Sequence, residues 1–136
     1  MILRPFPILL VTLALSACVK VAKNAKAQSP LASLAGSEWG PENAGEYEQF
    51  VAFKANGEVI GHGGCNRFFG SYTQKGNTLT FGPLASTKMA CPNLKQEQDF
   101  MSALQSARSV EATHMRLVIK GEDGAPVLSL RRRDWD

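Results

Sequence analysis

From Phe50 onward the chain alternates apolar and polar residues with a period of two, the mark of half-buried strands. Phe50-Val51-Ala52-Phe53 predicts one strand, and Ala55-Asn56-Gly57-Glu58 turns it, because Asn-Gly supplies the positive φ of a tight hairpin. Val59 and Ile60 open the return. Phe68 to Thr73 predicts the next strand and Gln74-Lys75-Gly76-Asn77 its turn, after which Leu79 and Phe81 point one way, Thr78 and Thr80 the other. Gly82-Pro83 ends that strand, and Ser86 to Ala90 reads as a short strand leading to Cys91-Pro92. Near the C-terminus Met115, Leu117 and Ile119 alternate with Arg116, Val118 and Lys120. After the loop Gly121–Pro126, the segment Val127 to Arg131 returns with Leu128 and Leu130 inward.

One stretch breaks the period. Residues 93–107 are rich in helix formers. Asn93 stands where a cap belongs, with Gln96 three residues on as a capping box. Leu94, Met101 and Leu104, flanked by Phe100, form an apolar stripe. The expected fold is therefore mainly β (α+β): a compact curved antiparallel sheet or small barrel with one helix near 93–107.

The N-terminus follows a different rule. Arg4 precedes the apolar run Phe6–Ala14, which is too short for a permanent span of about 20 residues. It reads as a signal peptide over residues 1–17. Leu15-Ser16-Ala17-Cys18 fits a lipobox, so Cys18 is the expected lipidation site after cleavage. Two or three acyl chains there would anchor the protein durably to a membrane. Val19 follows rather than an inner-membrane retention aspartate, which points to an outer membrane, with the protein facing the periplasm. Residues 18–33 carry lysines and little large apolar content and read as a flexible tether. The folded domain is expected over 34–136, with Trp39 as its first large anchor.

Cleaving 17 of 136 residues leaves 119, enough for one domain with a core. A net charge of +3 is ordinary for a soluble domain and implies no nucleic-acid partner. Of three cysteines, lipid on Cys18 leaves Cys65 and Cys91, which should pair in an oxidising envelope.

The most distinctive stretch is Gly61-His62-Gly63-Gly64-Cys65-Asn66-Arg67-Phe68-Phe69-Gly70-Ser71-Tyr72. It is followed by Leu79-Thr80-Phe81-Gly82-Pro83-Leu84-Ala85-Ser86-Thr87-Lys88-Met89-Ala90-Cys91. Together with the opening Leu34-Ala35-Gly36-Ser37-Glu38-Trp39, these elements resemble the META/HslJ-like domain family. The resemblance implies a barrel-like antiparallel fold with one helix, and an exported or lipoprotein member, some being heat-inducible. It implies no catalytic mechanism.

The residues themselves leave two readings of Asn66 and Arg67. They brace the turn beside the disulfide, or they form a binding surface in which Arg67 grips a carboxylate. Glycines 61, 63 and 64 permit close approach of another backbone. A metal site from His62, Cys65, Cys91 and His114 is disfavoured, because exported cysteines oxidise before finding zinc. A redox pair is disfavoured by the wide separation of the cysteines. There is no Gly-x-Ser-x-Gly. Glu42, Glu46 and Glu48 read as a solvated loop, and Glu97 and Asp99 as a dipole-favoured helix start. The chain is thus expected to be non-enzymatic and free of cofactors. Its expected role is a binding or structural, stress-related envelope module, partnered by the membrane through Cys18 and by an unidentified envelope protein. A carrier of a small apolar ligand and an enzyme with an unrecognised site are the alternatives.

Overall fold

Runs of aromatic and β-branched residues, each too short to be stable alone, pair into a single antiparallel sheet that returns on itself. The computed structural model describes residues 29–42 and 48–134. In chain order the strands are β1 (Ser37–Gly40), β2 (Phe50–Phe53), β3 (Glu58–His62), β4 (Arg67–Lys75), β5 (Thr78–Phe81), β6 (Ala85–Ser86), β7 (Ser109–Ala112), β8 (Arg116–Lys120) and β9 (Pro126–Arg132). Among the described residues there is one helix, α1 (Leu94–Gln105), between β6 and β7.

The spatial order β3-β2-β1-β9-β8-β7-β5-β4-β6, with β3 also paired to β4, closes the ring. Closure removes most of the open edges that a flat sheet of short strands would expose. Nine-residue β4 makes it possible. Its first half pairs with β3 from His62↔Arg67 to Glu58↔Ser71, and its second half with β5 from Tyr72↔Phe81 to Lys75↔Thr78. The seam between β5 and β7 is thin, one residue pair, Thr78↔Ser109. Backbone bonds from Leu79 to Arg108 (3.1 Å) and from Val110 to Asn77 (2.8 Å) extend it. Beside it, Leu31 N–H donates to Ala112 at 2.9 Å, Pro30 bridges Thr113, and Leu34 N–H donates to the Gln74 side chain at 2.9 Å. The sheet thus engages residues ahead of Leu34.

Alternation sends Trp39, Val51, Phe53, Val59, Phe68, Leu79, Leu117, Ile119 and Leu130 inside, all but dry. Helix α1 adds Phe100 and Leu104 to this cluster, and the Phe68 and Phe100 rings lie 6.3 Å apart. The indole of Trp39 keeps a polar partner: Nε1–H donates to Ser37 Oγ at 2.6 Å, and Ser37 donates on to Leu34 O.

Several expectations shift. β1 and β7 lack an alternating apolar run and are strands because neighbours complete their hydrogen bonds. The strand expected over Ser86–Ala90 stops at Ser86, because Met89 bonds to a side chain instead of a ladder partner. Asn93 does sit at the N-cap, but its side chain makes no capping bond, so the capping box is absent. Gly57 alone takes positive φ in the Asn56-Gly57 turn, where Asn56 Oδ1 instead accepts the Glu58 N–H.

Gly61 marks the tightest point of the wall. A Cβ there would collide with the Phe50 carbonyl and the Phe68 ring. Gly61→Ala should therefore cost about 2 kcal/mol or more through overpacking. Gly76→Ala, at an open turn with φ +56°, meets nothing and should cost only about 1 kcal/mol from the backbone. Paired urea unfolding curves check the order.

Candidate functional site

The distinctive sequence stretch forms the hairpin loop between β3 and β4. His62 pairs with Arg67, and Gly63 N–H donates to Asn66 O at 2.9 Å, so residues 63–66 turn the chain tightly. Gly64 takes φ +114° and donates its N–H to His62 Nδ1 at 3.1 Å. This turn aims the next two amide N–H groups at helix α1.

Both meet one carboxylate. Glu97 Oε1 accepts from Cys65 N–H at 3.2 Å and Asn66 N–H at 2.5 Å, while Oε2 accepts from Asn66 Nδ2 at 2.7 Å. Asn66 Oδ1 in turn accepts from Thr87 Oγ1–H at 2.9 Å and Met89 N–H at 2.7 Å. Nδ2 also reaches Met89 O at 3.3 Å. One buried asparagine, 3% exposed, thus ties the loop, the helix and the segment after β6 together. Gly63 must be glycine here, since a Cβ would stand 2.5 Å from Glu97 Cγ. The Cys65–Cys91 disulfide, Cα–Cα 6.0 Å, ties the same loop to the lead-in of the helix. Asn93 Nδ2 donates to Gly64 O at 3.2 Å, and its Oδ1 is buried without a protein partner.

Burial raises the cost of charge on Glu97, but the Asn66 amide, the Asn66 N–H and the Cys65 N–H, with a smaller electrostatic contribution from His62, outweigh it. The net result holds the carboxyl below its usual range. Glu97, read from the sequence as a dipole-favoured acid at the helix start, is 7% exposed and faces inward. Asp99 does lie outside, paired with Lys95 at 2.8 Å.

Asn66 and Arg67 part company. Asn66 is a buried brace. Arg67 is exposed and makes no ion pair with a described residue. It lines an outer groove of about 530 Å³ with Phe50, Ile60, His62 and Phe69. Cross-strand neighbours Ile60 and Phe69 are 39% and 59% exposed. A second groove, about 550 Å³, runs between α1 and the segment Leu84–Ala90. Cys65 and Cys91 are bonded to each other, and among the described residues no three His, Cys, Asp or Glu side chains gather to hold a metal. Cys18 and Glu46 lie outside the described residues.

Sequence reasoning missed Glu97 and Thr87. The helical spacing 93, 97, 100, 104 carried a signal: these four positions share one face, and all four are buried.

Removing Glu97 strands three donors. Glu97→Ala should cost about 3 kcal/mol or more. The pH dependence has a definite sign. The folded pKa is depressed, so the stabilisation is complete above the unfolded value of about 4.3 and is lost as pH falls through the folded value. Thermal melts from pH 7 to pH 2 should show this acid loss in the native chain and a flatter curve in Glu97→Gln. Opening the disulfide, which closes residues 66–90 into a loop, should cost about 3.5 kcal/mol, read as the shift in urea midpoint between Cys65→Ser/Cys91→Ser and the native chain.

The comparisons agree with this architecture. A protein from Burkholderia xenovorans, solved by NMR, superposes with TM-score 0.63 at 23% identity, over 74% of this chain and 84% of that one. Another NMR structure gives TM-score 0.55 at 22% identity, over 74% and 90%. A crystal structure of a DUF4847 family protein from Bacteroides vulgatus gives 0.50 at 18% identity, over 65% and 61%. At these identities the likeness is one of fold. No curated protein matches the sequence. Residues 31–134 match the META domain, which takes in every strand, the helix and the clasp around Asn66, and the chain belongs to the META domain family.

Proposed function

We propose that the protein is a non-catalytic module of the bacterial cell envelope, tethered by lipid on Cys18 and acting through its outer surface. The observation that carries this reading is the use made of the buried polar groups. Glu97 and Asn66, the polar pair set deepest beside the grooves, have their oxygens filled by protein donors. A carboxylate held this way is a strut, since a general acid or base must exchange its proton with substrate. The space inside the ring is occupied by Trp39, Phe53, Phe68 and the aliphatic core, which weighs against a carried apolar ligand. Both grooves lie outside, on a wall stiffened by the ring and the disulfide. A rigid wall loses little entropy on association, which favours binding.

The lipobox and the basic, apolar-poor stretch behind it support a tether that holds this module close to a membrane, here assigned to the outer membrane on its periplasmic side. Stress induction, implied by the family resemblance, fits a supporting role better than a metabolic one.

Two measurements test the proposal. Intact mass of protein extracted from membranes should show an acylated chain beginning at Cys18; an unmodified chain removes the anchor. Photo-crosslinking residues placed at Phe69 and Thr87, one for each groove, should yield discrete adducts with envelope proteins in cells. Absence of adducts at both positions, or turnover of an envelope substrate that a single substitution abolishes, overturns the binding reading.

A further inference from the structure

Among the described residues, β6 has an open edge. β6 ends the sheet order, paired to β4 on one side only. The register Phe68↔Ser86 and Phe69↔Ala85, with Thr87 N–H donating to Arg67 O at 3.1 Å, fixes which groups point where. Ala85 and Thr87 direct their backbone groups at β4, and Met89 continues that side through Asn66. By alternation, the N–H and C=O groups of Ser86 and Lys88 face away from β4. Among the described residues they have no hydrogen-bond partner, and they face the 550 Å³ groove whose far wall is α1. The groove is lined by Leu84, Met89, Leu94 and Met101, and Met89 is 58% exposed. Two residues spaced about 6.8 Å apart along an edge offer up to four backbone bonds to an incoming strand.

Charge narrows the occupant. The charged residues lining the groove are Lys88 and Glu97. Glu97 keeps its charge but is buried with its oxygens filled by three protein donors, whereas Lys88 is exposed and makes no ion pair with a described residue. The charge this rim presents to solvent is the ammonium of Lys88.

We infer that the β6 edge is a strand-addition site for an extended peptide with apolar residues at alternate positions and a carboxylate beside Lys88. This deepens the binding reading above and rests on it. Backbone bonds would supply affinity, and the apolar floor with Lys88 would supply selectivity. The shortness of the edge and its lysine discourage indiscriminate pairing.

The test uses the mature chain and a fluorescein-labelled nonapeptide of alternating valine and threonine ending in glutamate with a free carboxylate. Fluorescence anisotropy should show saturable binding. In ¹⁵N spectra the Ser86 and Lys88 amides should exchange quickly in the free protein and slow at least tenfold with peptide. Lys88→Glu should weaken this peptide tenfold or more while sparing one that ends in amidated lysine. Ser102→Trp, which fills the groove from an exposed helix position, should abolish binding of both with the melting temperature kept. Unprotected Ser86 and Lys88 amides, shifts mapping to Ile60 and Phe69, or unchanged affinity in both variants would overturn the inference. Cellular adducts from Phe69 in that case would leave the broader binding reading standing.

Discussion

A single carboxylate inside the wall sets the geometry around which the rest of this domain is arranged. Glu97 takes three charge-assisted hydrogen bonds from the loop between β3 and β4, the shortest at 2.5 Å. A buried charge is tolerated only when such donors replace its water, and here two come from backbone amides whose direction is fixed by the turn. Gly63 makes the approach sterically possible, and Gly64 with its positive φ turns the amides toward the helix. Asn66 passes the constraint on to Thr87 and Met89. Helix, hairpin and the β6 segment are therefore positioned by one network. The disulfide crosses the same region covalently, so the loop is held by two means of different kind.

That arrangement explains why the grooves lie outside. The ring is filled by buried aromatic and aliphatic side chains. β6 is drawn against β4, and the chain after Ser86 is pulled toward Asn66 rather than across to β7. A space remains between it and the helix. The open edge of β6 is thus a consequence of the clasp: the residues that hold Met89 from one side leave Ser86 and Lys88 facing the other.

Much of this was legible in the chain. β2, β4, β5, β8 and β9 follow from alternation, and the helix from its composition and length. Others were hidden for identifiable reasons. β1 (Ser37–Gly40) has Trp39 as its one large apolar residue, and β7 (Ser109–Ala112) has Val110 alone; neither has a period to read, and both exist because strands on either side offer donors and acceptors. Asn93 resembled a capping residue, but the Gly64 carbonyl, 29 residues away in sequence, captured its amide. Glu97 read as a dipole-favoured helix-start acid because acids are common there; only its helical spacing with Asn93, Phe100 and Leu104 marks it as part of the buried face.

The sequence by itself determined the class of fold and the place of the helix. These follow from local periodicity and composition, which act over a few residues. Tertiary structure decided the rest: that the sheet closes, that Asn66 turns inward while adjacent Arg67 turns outward, and that Glu97 joins them. Most of these depend on contacts between groups far apart in sequence, as the 31-residue span from Asn66 to Glu97 and the pairing of Trp39 with Arg132 illustrate. Such pairings are set by where the chain returns, and a linear pattern records no return.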